Sequence, residues 1–143
     1  MADNVPKVIE AEQFVLRGPR GEVSAMLCVL ADGTATLNLY DGAERFRAGL
    51  GILADGTATL NLYDPTGQIR AALSVVLDGR PGLGLFDWDG KGGAHLIVGA
   101  DGSPDLALYD MHEKIRAQLK MAPGGVPGLR LYDQDGKVTW STP

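Results

Sequence analysis

The chain has one cysteine, two histidines and 13 basic residues among 143, and each shortage removes a kind of chemistry. Cys28 alone forms neither an intrachain disulfide nor a multi-cysteine metal site. Eighteen Asp and Glu outnumber the Lys and Arg, giving a net charge of −5, so no positive field exists to hold a phosphate backbone or an acidic membrane surface. Neither nucleic acid nor membrane is expected as a partner. No apolar run approaches the roughly 18–20 residues of a membrane-spanning helix, and the opening MADNVPKVIEAEQF lacks a basic stretch followed by an apolar one. With no visible address, the cytoplasm is the expected location by default.

Glycine is abundant, at 20 residues, and the chain around it is periodic. Leu39-Tyr40-Asp41 recurs as Leu62-Tyr63-Asp64, Leu85-Phe86-Asp87, Leu108-Tyr109-Asp110 and Leu131-Tyr132-Asp133, each 23 residues after the last. A second punctuation, Asp32-Gly33, Asp55-Gly56, Asp78-Gly79 and Asp101-Gly102, keeps the same period, with Gly124-Gly125 in the fifth slot. The twelve residues Leu30–Asp41 and Leu53–Asp64 are identical, which implies recent duplication or a designed chain. The expected organisation is a single domain: a degenerate first copy over about 8–24, five repeats over about 25–139 and a cap over 137–143.

Each unit holds two alternating apolar runs between two turn signals, so it reads as a β-hairpin. A three-residue loop at Ala54-Asp55-Gly56 sets Ile52 opposite Ala58, Leu50 opposite Leu60 and Ala48 opposite Leu62, with Gly56 in a left-handed conformation. The same construction pairs Leu27 with Leu37, Leu73 with Leu83, Leu96 with Leu106 and Leu119 with Leu129. The Asp-x-x-Gly segments, such as Asp64-Pro65-Thr66-Gly67, suit type I turns. The odd period inverts side-chain parity between copies, and an even-length turn here absorbs the inversion. The expected fold is all-β, an antiparallel meander of about ten to twelve short strands.

One face of that meander is Ala, Leu, Val, Ile, Met and Pro without a charge from Val23 through Leu131, more apolar surface than a soluble monomer exposes. The expected solution is a homo-oligomer with apolar faces packed together, a trimeric β-prism in preference to a dimeric sandwich. Its core is the leucine row named above together with Trp140, which takes an alanine slot in the last copy. The prism resembles the stalks of phage tail fibres and other trimeric spikes. The stretch Leu62–Leu73, LYDPTGQIRAAL, resembles bacterial proteins built of tandem LYDxxGxxRAxL units with tails such as KVTWSTP. It is also faintly similar to the tyrosine-aspartate repeats of large secreted shell-forming toxins, from which Gly67-Gln68-Ile69 departs. These resemblances imply a β scaffold and bring no particular activity with them.

The polar face offers a ladder of Tyr40, Tyr63, Phe86, Tyr109 and Tyr132, on which sugar rings or a protein partner could stack. Arg47, Arg70 and Arg116 lie diagonal to Tyr40, Tyr63 and Tyr109, at cation–π range. The turn aspartates are expected to cap turns rather than hold calcium, since no loop has the register of an EF-hand. His95 and His112 belong to different repeat positions, and nothing resembles Gly-x-Ser-x-Gly or a phosphate loop. No metal, cofactor or catalytic group is expected. The functional expectation is a non-enzymatic structural or protein-interaction scaffold, with a carbohydrate- or receptor-binding module on the Tyr ladder as the alternative.

Overall fold

The computed structural model describes Val8, residues 10–122 and residues 124–142. Ile9, Pro123 and Pro143, which fall in the expected first copy, fifth repeat and cap, lie outside the described residues. Alternating apolar residues form twelve strands. The first six are β1 (Gln13–Arg17), β2 (Val23–Val29), β3 (Ala35–Tyr40), β4 (Phe46–Ile52), β5 (Ala58–Tyr63) and β6 (Ile69–Val75). The next six are β7 (Pro81–Phe86), β8 (Gly92–Val98), β9 (Pro104–Tyr109), β10 (Ile115–Met121), β11 (Pro127–Tyr132) and β12 (Val138–Ser141). They pair antiparallel in sequence order as one open sheet, with β1 and β12 at its edges. No helix of the described residues is long and apolar enough to cross a membrane.

The register follows the leucines. Leu50 faces Leu60, with Ile52–Ala58 and Ala48–Leu62 on either side. Leu27–Leu37, Leu73–Leu83, Leu96–Leu106 and Leu119–Leu129 repeat the pairing. Between hairpins the same row continues through Leu37–Leu50, Leu60–Leu73 and Leu83–Leu96. Each cross-strand apolar pair contributes roughly 0.2–1 kcal/mol over Ala–Ala, so a shift by one residue would forfeit all of them at once.

Both kinds of connection are three-residue loops, which corrects the expectation of an even-length turn at Asp-x-x-Gly. At Asp55 the loop closes by Leu53 N–H to Thr57 O at 2.9 Å and Gly56 N–H to Leu53 O at 2.8 Å, with φ of 86° at Gly56. At Asp64 it closes identically, by Asp64 N–H to Gln68 O and Gly67 N–H to Asp64 O. The parity inversion occurs one residue further on, at a β-bulge. Tyr63 pairs with Ile69 and Leu62 with Ala71, leaving Arg70 as the extra residue. The bulge recurs at Ser24, Arg47, Gly93, Arg116 and Thr139. The physical reason is the left-handed residue at the fourth position, Gly67 with φ of 88°, which closes the chain in three residues. The Asp64 carboxylate tightens the loop by accepting from Thr66 N–H at 2.7 Å and Gln68 N–H at 3.2 Å. The loop before Ser24 closes the same way at Gly21, φ 86°, with Gly18 in place of the aspartate.

A single sheet has no interior. Among the described residues the buried apolar ones are Ala25 and Ala107, and no large side chain is fully enclosed. The accessible surface, 10098 Å², exceeds by roughly 3,000 Å² the value of about 7,100 Å² expected for a compact monomer of this mass.

Candidate functional site

The two faces of the sheet are chemically distinct. On the apolar face, nine leucines of the central row are between 37% (Leu37, Leu60) and 54% (Leu50) exposed, and Leu129 is half-buried. Flanking rows add Leu39, Leu62, Leu85 and Leu108 on one side and aliphatic residues against Ala or Pro on the other, as in Val75–Pro81 and Val98–Pro104. Trp140 pairs with Leu131 at the β12 edge and is 49% exposed. Nothing among the described residues lies over this face.

Arginines stitch the turns along one end of the strands. Arg70 sits at the bulge after the Asp64 loop; its Nε donates to Asp64 Oδ2 at 2.8 Å, and its other nitrogens reach the Asp87 and Trp88 carbonyls of the next copy. Arg116 repeats this with Asp110 Oδ2 at 2.7 Å and the Asp133 carbonyl. Arg47 bonds the Tyr63 carbonyl at 3.0 Å and pairs with Asp41 at 3.5 Å. The expected Arg–Tyr stacking is thus replaced by ion pairs, because the bulge turns each guanidinium toward the turn carboxylate. The cation–π contact found among the described residues is Arg70 over Trp88, at 4.9 Å.

The carboxylates respond in kind. Desolvation pushes Asp41 up, but hydrogen bonds from Arg45 N–H, Ala43 N–H and the Arg45 guanidinium hold it down to about 2. The backbone N–H of Lys114, with Arg116 and His112 N–H, outweighs desolvation and brings Asp110 to about 2. Asp64 lies lower still, held by the Thr66 hydroxyl against desolvation, with help from Arg70. These side chains are fully engaged as caps and ion-pair partners.

The five ladder aromatics lie on the polar face, all half-buried. Other rings stand between them. Phe46 lies 5.7 Å from Tyr40 and 4.6 Å from Tyr63, centroid to centroid. His95 lies 6.0 Å from Phe86 and 4.9 Å from Tyr109. Tyr132 instead donates to Gln118 Oε1 at 3.1 Å. Glycines make room for the rings: a Cβ on Gly49 would sit 2.8 Å from Phe46 Cζ, and one on Gly84 2.9 Å from Phe86 Cζ. Next to the first ring cluster the polar face holds an open groove of about 260 Å³ across β3, β4 and β5. Its floor is Gly49 and Gly51, both buried. Asn38 and Asn61 flank Gly49 in register, and Thr36 and Thr59 flank Gly51.

No family model and no curated protein matches the chain. Among solved structures, the wild-type TCP10 domain of Danio rerio CPAP in complex with a peptide of Danio rerio STIL is similar at 15% identity, covering 91% of this chain and 98% of that one, with a TM-score of 0.20. At that score the likeness brings neither fold nor partner to this chain.

The structure therefore gathers the ladder into two three-ring clusters plus Tyr132, places the three arginines at the turn edge, and spreads the leucine row over the opposite face. Sequence reasoning missed Phe46, the place of His95 between Phe86 and Tyr109, and the groove. The readable signal for the groove was the pair of glycines in β4 lying between the two identical twelve-residue strings.

Proposed function

We propose that the chain is a non-enzymatic structural or protein-interaction scaffold that works as a homo-oligomer, its apolar faces packed in a trimeric β-prism of stalk or shell type. One observation carries this reading: a charge-free face with nine leucines half exposed and no second layer over it among the described residues. Eleven strand spacings of about 4.8 Å by six residues of about 3.4 Å give a wall of roughly 1,000 Å² per chain, more than the about 800 Å² per partner of a standard interface. A face without charges offers nothing by which a differently patterned partner would be selected, whereas another copy presents the same length and the same three rows.

Wall width favours three copies. A triangle with sides of about 20 Å places each wall's midline about 6 Å from the axis, and side chains span about half of the ~10 Å between packed sheets. The central leucines then meet at the axis, while Ala and Pro sit near the corners where walls converge. The repeat's resemblance to tandem LYDxxGxxRAxL proteins and to prism-like stalks belongs to the same reading. Sedimentation equilibrium at micromolar concentration tests it. The expected mass is three times 15.1 kDa; twice that mass selects the sandwich over the prism, and a 15.1 kDa monomer overturns the scaffold reading.

A further inference from the structure

We propose that the groove across β3, β4 and β5 is a binding site for a neutral sugar ring. Its walls come from the duplicated string, so like faces like: Asn38 and Asn61 across Gly49, Thr36 and Thr59 across Gly51. No other neighbouring copies repeat these walls, because the equivalent positions are Gly82 and Gly84 in β7, Asp105 and Ala107 in β9, and Gly128 and Arg130 in β11. The three rings of Tyr40, Phe46 and Tyr63 close one end of the groove, and Leu30 and Leu53 the other.

That combination selects the ligand. No charged side chain lines the groove, so an anionic group such as phosphate has no counter-charge to meet. β4 is paired on both sides, so an extended peptide has no sheet edge to join. Amides and hydroxyls match a rim of sugar hydroxyls, and an aromatic wall matches the apolar C–H face of a pyranose. The volume falls below the roughly 300–1,000 Å³ of drug-sized pockets and suits one ring. The site is preformed. Buried Thr36 donates to Asn38 Oδ1 at 2.8 Å, which leaves the Asn38 NH2 as the group presented to a ligand. The groove also opens on the face opposite the leucines, so it stays accessible in an oligomer, where several copies would bind a polysaccharide with avidity.

Methyl glycosides of glucose, galactose, mannose and N-acetylglucosamine, titrated into the 15N-labelled full chain, test the proposal. At least one should bind with a dissociation constant on the order of millimolar and shift the Gly49 and Gly51 amides and the Asn38 and Asn61 side-chain amides. Asn61→Ala and the near-isosteric Thr59→Val should each weaken that binding about tenfold while leaving the strand spectrum intact, and Gln118→Ala should not change it. No shift with any glycoside at about 10 mM, shifts confined to Tyr109 or Tyr132, or undiminished binding in both groove variants would overturn the site. Mass is measured separately, so a monomer that binds sugar would sink the scaffold alone, and a trimer that binds none would sink the groove alone.

Discussion

Leu60→Asp places a carboxylate in the middle of the apolar face, where the row runs Leu50, Leu60, Leu73. Fully burying a leucine is worth about 1.5–3 kcal/mol, and with roughly half of each side chain still exposed, the proposed assembly would gain about 1 kcal/mol per leucine. Over the row this approaches 10 kcal/mol per chain, comparable to the about 4–15 kcal/mol that association costs, and the flanking rows supply the surplus. An unpaired carboxylate in a dry interface costs several kcal/mol, and a trimer would gather three of them about its axis. Sedimentation equilibrium should therefore show Leu60→Asp dissociated at concentrations where the wild type is assembled. Thr59→Asp, one residue away on the polar face, should retain the wild-type mass. If Leu60→Asp assembles as the wild type does, or Thr59→Asp dissociates equally, the apolar face is not the interface.

Three further outcomes follow from the turns. Arg70→Ala removes a partly buried guanidinium that joins Asp64 to the Asp87 carbonyl, and should lower the thermal midpoint by about 3–6 °C; Arg80→Ala, whose pair with Asp78 is half exposed on both sides, should leave it nearly unchanged. Glu113 holds a left-handed φ of 58° in the slot that Gly67 occupies with φ of 88°, so Glu113→Gly should stabilise by about 1 kcal/mol in denaturant melts. Glu44→Gly should gain less, because Glu44 Oε1 accepts from Val23 N–H at 2.8 Å. Asp41 and Asp110 are held at about 2, below the ordinary 3.8, so the native state binds fewer protons than the unfolded chain. Their stabilisation is fully present above pH 3.8 and is lost as pH falls toward 2; melts across that window should show a steady decline that Arg116→Ala makes shallower, and a flat profile in the wild type would refute the assignment.

The strand pairing was legible because every copy repeats the same leucine opposition, so a single choice of loop at Asp55-Gly56 set the whole register. The bulge was not. An even turn and an odd loop with one extra residue invert parity equally well, and the bulged position holds Ser24, Arg47, Arg70, Gly93, Arg116 and Thr139, which share no chemical signature. That one ambiguity hid the contacts that depend on it. Without the bulge, Phe46 has no reason to lie between Tyr40 and Tyr63, and the arginines point at tyrosine rings instead of carboxylates. The groove was half visible: Thr36, Asn38, Thr59 and Asn61 stand in the identical strings, but their meeting across Gly49 and Gly51 depends on β4, whose own sequence lies outside the strings.

Because each strand touches only the strands beside it in sequence, the 23-residue unit is a ruler mark. Adding one unit advances the fold by about 9.6 Å and alters nothing across its width. Physical length is thereby encoded as copy number, and in the proposed prism subunits sharing an axis would have to agree on the tally. If the chain assembles as proposed, a shortened copy built into a full-length bundle would leave bare leucines at its missing end, an adhesive gap that only a chain of the right count could close.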